Sequence, residues 1–235
     1  MLTCNYKVHP KDVDFTGRMT TVALCDYILQ SAGEDADSRG FGVRDLGKRD
    51  ATWVLSRLAV ETERPLAEHE SFSIATWVES LDRIFTTRHH EVRDSDGNVT
   101  ARATTQWSVI NRTTRSLVSL DWLDCATEPR QIGIERPRKL RPAASYSTEE
   151  SHRVRYSDID FNGHTNTTRY IAWMFDMLDI DKLKSRIIRR LDANFIRESR
   201  YGQTLALRLD ESDEDALFAV VSDTTVMLAG ISSPF

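Results

Sequence analysis

The chain has 235 residues, with 31 lysines and arginines against 36 aspartates and glutamates, for a formal net charge of −5. This balance gives no whole-chain reason to expect nucleic-acid binding. The 40% apolar and 29% charged composition is that of a globular protein, and no apolar run approaches the roughly 18 residues that a membrane helix needs.

From the N-terminus, Met1 to Tyr6 shows no export or organelle signal, so the cytoplasm is the expected compartment. Val22–Ala36 reads as a largely apolar helix, followed by strands at Trp53–Glu61, Phe72–Leu81, Ile84–Arg93, Val99–Asn111 and Arg115–Leu120, with a turn at Ser95-Asp96-Gly97-Asn98. Glu128–Glu150 holds three of the six prolines and lacks periodicity, and reads as an extended linker. A second apolar helix is expected over Thr168–Leu178. Shorter strands follow at Leu191–Arg197, Gln203–Asp210, Ala216–Ser222 and Thr225–Ser232. One buried helix followed by antiparallel strands, twice over, is an α+β class, with domains at 1–127 and 151–235 and the linker at 128–150.

The two halves share a repeated block. Val8–Thr21 (VHPKDVDFTGRMTT) and Val154–Thr167 (VRYSDIDFNGHTNT) agree at six of fourteen positions at a constant offset of 146, with the identities clustered at Asp12/Asp158, Asp14/Asp160, Phe15/Phe161 and Gly17/Gly163. The D-x-D-x-N-G opening of the second copy imitates a calcium loop, but its twelfth position is Arg169 where a bidentate glutamate is required. Gly40-Phe41-Gly42 with Gly47 imitates a phosphate loop, yet it lacks the third glycine at its place and follows a helix, not a strand. Cys4, Cys25 and Cys125 match neither a zinc knuckle nor a redox pair, so no metal and no cofactor is expected.

Chemistry is expected where the copies differ. Thr16 and Arg18 of the first block become Asn162 and His164 in the second, which places an amide and an imidazole two residues apart near a helix N-terminus. An imidazole titrates near neutral pH, an amide can hold a carbonyl oxygen or a water, and a helix N-terminus favours developing negative charge. A surface turn with a capping histidine is the plainer alternative.

Ser157-Asp158-Ile159-Asp160-Phe161-Asn162-Gly163-His164-Thr165-Asn166, then Tyr170-Ile171-Ala172-Trp173, then Phe195-Ile196-Arg197-Glu198-Ser199, resembles the acyl-acyl-carrier-protein thioesterases. These are tandem hot-dog proteins of bacteria and plant plastids, and the likeness extends more loosely through the N-terminal half. The resemblance implies two tandem hot-dog repeats, each a central helix wrapped by an antiparallel sheet, and a bacterial cytoplasmic hydrolase that releases fatty acids from acyl carrier protein and ends their elongation. It carries the family's catalytic set onto Asp160, Asn162, His164 and Glu198. Ser199 stands where plant members have a cysteine once taken for a nucleophile; a serine hydroxyl is far less ionised, so attack by water is expected, with Ser199 at most auxiliary. Ion pairing of Glu198 with Arg197 or Arg200 is the structural alternative to a role as base.

In the family, chain-length preference is attributed to the N-terminal repeat, where Leu24, Ile28, Trp53 and Leu55 are the acyl-pocket candidates, although residues at such spacing are more often simply core. Acyl carrier proteins are acidic, so a basic face is expected. Lys182–Arg200 carries seven basic residues against two acids, with Lys182, Lys184, Arg186, Arg189 and Arg190 as docking candidates, and the linker adds Arg130, Arg136, Arg138, Lys139 and Arg141. The same chemistry on acyl-CoA, and a non-catalytic acyl-binding module, are the readings left open, as is a monomer or a homodimer.

Overall fold

The next-to-last residue of each copy of the repeated block caps a helix with its side chain. In a computed structural model that describes residues 1–130, 132–185, 187–212 and 214–232, the Thr20 hydroxyl accepts from the Ala23 amide at 3.1 Å and starts α1, Thr21–Ser38. Asn166 Oδ1 accepts from the Thr168 amide at 3.0 Å and starts α3, Thr167–Asp176. Each contact satisfies one of the amides that a first helical turn leaves without a backbone partner. Leu24, Ile28, Ser31, Ala32, Asp35 and Ala36 recur at helical spacing on the buried face of α1.

The chain forms two compact units, residues 1–137 and 138–235. In the first, β1 (Leu2–Lys7), β2 (Ala51–Thr62), β3 (Ser71–Leu81), β4 (Thr86–Asp94) and β5 (Val99–Asn111) form an antiparallel sheet in the order β1-β3-β4-β5-β2, with the two-residue β6 (Leu117–Val118) beside β5. Helix α1 packs on β1 and β3, and a short α2 (Val43–Gly47) on β2. The pairing puts Thr76, Arg88, His90, Thr105, Leu58 and Val60 on one face of the sheet, where Arg88 and His90 meet α1.

The second unit repeats the plan with β7 (Thr148–Arg153), β8 (Arg190–Phe195), β9 (Thr204–Glu211), β10 (Asp215–Val221) and β11 (Thr225–Ser232), ordered β8-β11-β10-β9-β7 and antiparallel throughout. Helix α3 packs on β9 and β11; a short α4 (Ile180–Ser185) follows it. A helix against a curved antiparallel sheet is the arrangement expected for each half.

Among the strands and α-helices of the described residues, four were not expected: the edge strands β1 and β7 and the short helices α2 and α4. Strand β7 begins inside the stretch read as linker, and the strand expected over Arg115–Leu120 shrinks to the two residues of β6. Within 128–137 the chain is tied to the first unit: the Arg130 carbonyl accepts from Trp77 Nε1 at 3.3 Å and Arg136 pairs with Glu79 at 3.0 Å. Beyond it, the amides of Arg138 and Leu140 donate to Asp192 Oδ1 and Asn194 Oδ1 at 2.8 and 2.9 Å.

Candidate active site

The loop before α3 is organised by one carboxylate. Asp160 Oδ1 accepts from the amides of Asn162 at 2.8 Å and His164 at 3.2 Å, while the Asp160 amide donates to the His164 carbonyl at 2.8 Å. Gly163 at φ +79° makes the reversal between them. A second carboxylate, buried Asp158, accepts from the Arg155 amide at 2.7 Å and lies 3.3 Å from both His152 Nε2 and Arg169 Nε. Burial alone would raise its pKa, but the Arg155 amide, His152 and Arg169 together hold it below the usual carboxylate value. With Asp160 turned onto its own backbone and Arg169 turned onto Asp158, the loop spends on itself the groups that a calcium site would need.

This loop delivers His164 to Glu198, with Nε2 and Oε2 3.3 Å apart and the imidazole 13% exposed. Glu198 lies in the segment after β8, which is pinned to the loop before α3 by the Thr165 amide donating to the Ser199 carbonyl at 2.8 Å. Thus Asp160, Asn162, His164 and Glu198 fall in one small region, with distinct geometry for the two carboxylates: Asp160 fixes the loop, and Glu198 meets the imidazole.

Ser199 is 1% exposed. Its hydroxyl lies 2.6 Å from Thr165 Oγ1 and 2.7 Å from the Tyr170 hydroxyl, which also accepts from the Ser199 amide at 3.1 Å. Burial, against the lowering effect of the Ser199 contact, keeps the Tyr170 phenol above its ordinary pKa. A hydroxyl held in that way joins the loop to α3. Thr165 and Tyr170 belong to the motif read from sequence but were given no role there; Tyr170 is 29 residues from Ser199, and no local pattern links the two.

The first copy builds the same loop without the same side chains. Asp14 Oδ1 accepts from the Thr16 amide at 2.7 Å and the Arg18 amide at 3.3 Å, and Gly17 stands at φ +76°. The duplication continues into the pinning segment at a new offset of 133. Met19 donates to the Leu66 carbonyl as Thr165 does to Ser199, and Ala67 donates to Glu70 Oε1 as Arg200 does to Gln203 Oε1. On that correspondence Asn162, His164 and Glu198 are matched by Thr16, Arg18 and Pro65, which leaves the first copy without amide, imidazole or carboxylate.

Leu24, Ile28 and Leu55 are buried in the first unit, and Trp53 is half-buried with Nε1 donating to the Phe41 carbonyl at 2.9 Å. The interior beside them is not wholly apolar. Arg88 donates to Asp35 Oδ2 at 2.7 Å and Thr76 Oγ1 at 3.1 Å, and His90 lies 3.2 Å from both Ser31 Oγ and Thr105 Oγ1, all of them buried. The basic stretch fares unevenly. Arg190, expected on a docking face, is buried and grips Asp192 with two hydrogen bonds of 2.7 and 2.9 Å, because its position on β8 turns it inward. Lys182 pairs with Glu211 at 3.1 Å and Lys184 with Asp181 at 3.8 Å, Arg189 is exposed, and Arg186 lies outside the described residues. No helix is long and apolar enough to cross a membrane among the described residues.

Comparison with known proteins gives a consistent result across the chain. Residues 1–122 match the family model described as acyl-ACP thioesterase N-terminal domain, and residues 142–226 match the acyl-ACP thioesterase C-terminal domain. The structure of an acyl-ACP thioesterase from Bacteroides thetaiotaomicron superposes with a TM-score of 0.91 at 33% identity, covering 99% of this chain and 97% of that one. Oleoyl-acyl carrier protein thioesterase 1 of Arabidopsis thaliana is 29% identical over 78% of this chain, and the oleoyl-acyl carrier protein thioesterase of Coriandrum sativum is 26% identical over 91%. The chain spans 56% and 63% of the lengths of these two plant proteins.

Proposed function

The chain belongs to the acyl-ACP thioesterase family, and from that premise we propose that it hydrolyses the thioester of a fatty acyl group carried on acyl carrier protein, with one working site per chain, in the second unit. The observation that carries this reading is the contact of His164 with Glu198 beside Asn162, in the one copy of a duplicated loop that has all three.

Glu198 is the general base. It takes a proton from a water as the oxygen attacks the thioester carbonyl carbon, so that a C–O bond forms and the carbonyl π pair moves onto oxygen. The Asn162 side-chain amide N–H and the N-terminus of α3 stabilise that oxyanion. His164, with Nε2 3.3 Å from Glu198 Oε2, orients the carboxylate and the water. The intermediate collapses with cleavage of the C–S bond, and the departing thiolate takes up the proton from Glu198, giving a carboxylic acid and a free thiol and restoring the base. Asp160 is a positioning residue, since it reaches the reaction through the amides it holds. The buried state of Ser199 supports water over a serine nucleophile. The first unit holds the acyl chain against Leu24, Ile28 and Leu55, and the cytoplasm is the compartment we assign.

The test is thiol release by purified protein from a panel of acyl-carrier-protein thioesters, with matched acyl-CoAs and His164→Ala alongside. Release from the carrier panel that falls about 100-fold or more in the variant is the expected result. Release from acyl-CoA alone would replace the substrate, and a folded protein that binds both panels and releases neither would overturn the hydrolase reading.

A further inference from the structure

Beside the catalytic loop three large aromatic side chains stand in solvent: Tyr156 at 89%, Phe161 at 79% and Tyr201 at 69% exposure. With Ser157, Ile159 and Asp160 they line a surface hollow of about 540 Å³. Asp160 also holds the amides of Asn162 and His164, so this hollow adjoins the proposed site directly. Clustered exposed aromatics of this kind mark interaction surfaces, because isolated exposure gains nothing for the folded chain.

Charge says which partner fits. Each tyrosine follows an exposed arginine, Arg155 before Tyr156 and Arg200 before Tyr201, and Arg153 and Arg197 are exposed nearby in the chain. Among the described residues none of these four guanidinium groups forms an ion pair. Of the basic residues expected to dock a carrier, Lys182, Lys184 and Arg190 pair with Glu211, Asp181 and Asp192, while Arg189 is exposed. Arginine and tyrosine are also the residue types that dominate binding energy at interfaces.

The first unit supplies an internal control. At the positions of Arg155, Tyr156, Arg200 and Tyr201 it has His9, Pro10, Ala67 and Glu68, although the turns that carry them share their backbone hydrogen bonds. Only Phe15 is kept, 56% exposed, in place of Phe161. The copy that lacks the amide, imidazole and carboxylate therefore also lacks both tyrosines and both arginines. A core or folding requirement would have kept them in both.

We propose that the surface formed by Tyr156, Phe161, Tyr201, Arg155 and Arg200 is the docking site for the acidic carrier protein, placed so that the carrier's thioester arm enters beside Asn162 and Glu198. This rests on the hydrolase reading above. The rings cover the carrier's apolar groups, and the two arginines pair with its carboxylates and set the approach.

The experiment compares Arg155→Glu/Arg200→Glu and Tyr156→Ser/Tyr201→Ser with the unaltered protein, on an acyl-carrier-protein thioester and on the same acyl group as a pantetheine thioester. Binding of the unacylated holo carrier is measured in parallel by calorimetric titration. The expected result is a KM for the carrier thioester raised by about tenfold in each variant, with kcat/KM on the pantetheine thioester unchanged, and carrier binding weakened in step. Unchanged carrier KM and binding would overturn the proposal. So would an equal loss on both substrates, which would place these residues in the chemistry, or a change of oligomeric state by light scattering with carrier KM unaltered, which would make this a contact between copies. If the unaltered protein releases no thiol, the hydrolase reading fails by itself, and the titration still decides the docking surface: weaker carrier binding by the arginine variant supports it, and equal or absent binding overturns it.

Discussion

Asp160 and Glu198 illustrate how two carboxylates of one short region take different tasks. The first has an oxygen committed to two amides of its own loop, and the second meets an imidazole from outside that loop. Glu198→Gln should therefore abolish turnover while leaving the melting temperature close to its original value. Asp160→Asn should lower kcat and also loosen the loop, a difference that thermal unfolding beside steady-state kinetics resolves. Ser199 belongs to a separate category. Ser199→Ala removes one contact each from the Thr165 and Tyr170 hydroxyls, which still hold each other, for a cost of about 0.5–1.5 kcal/mol in denaturant unfolding, but turnover at a temperature where the variant is folded should stay within a few-fold. Loss of turnover in a stably folded Ser199→Ala protein would revive a serine nucleophile. Asp158 gives a pH signature. Its folded pKa is depressed, so its contribution to stability is fully present above the unfolded value of ~3.9 and is lost as the pH falls through the folded one. The gap in stability between the unaltered protein and Asp158→Asn should accordingly narrow on acidification below about pH 4.

At the scale of elements, α1, α3 and the central strands were legible because their side chains carry the pattern: the buried face of α1 repeats at helical spacing, and β5 spans the residues read from its alternation. The edge strands were not. The β7 residues TEESHR are nearly all exposed, and their place in the sheet rests on backbone pairing with β9, which leaves no apolar signature. The loop before α3 was readable as a block, but the sister position of Glu198 was not, since the constant offset of 146 points to Thr52. The second copy has a 10-residue helix where the first has 18, and shorter strands follow, so the register drops to 133 and Glu198 aligns with Pro65. The polar groups inside the first unit were also invisible, because Ser31, Asp35, Arg88 and His90 come from elements far apart in the chain. Burial, with Arg88 and His89 adding to it, pushes the His90 pKa well below 6.5. The imidazole is thus neutral when folded and takes up a proton only on unfolding, so stability should fall as the pH drops below about 6.5. His90→Gln should flatten that slope in urea unfolding between pH 5 and 7.

For the whole molecule, duplication followed by divergence is the organising fact. Both copies keep the loop carboxylate, the positive-φ glycine and the helix cap, which are requirements of folding, and only one keeps the groups suited to hydrolysis. Paired substitutions separate the two demands. Gly17→Ala and Gly163→Ala meet no neighbouring atom within 4 Å, so each costs only its backbone strain, about 1–2 kcal/mol. The stability losses should be alike, whereas kcat should fall for Gly163→Ala alone, because only that loop positions Asn162 and His164. The most direct test of this division is thiol release from a saturating acyl-carrier-protein thioester by three proteins side by side: unaltered, Glu198→Gln and Arg18→Ala. A fall of about 100-fold or more in the first variant, with the second within about twofold of the unaltered protein, is the predicted result. Full turnover by Glu198→Gln, or its loss in a folded Arg18→Ala protein, would contradict a single site in the second unit.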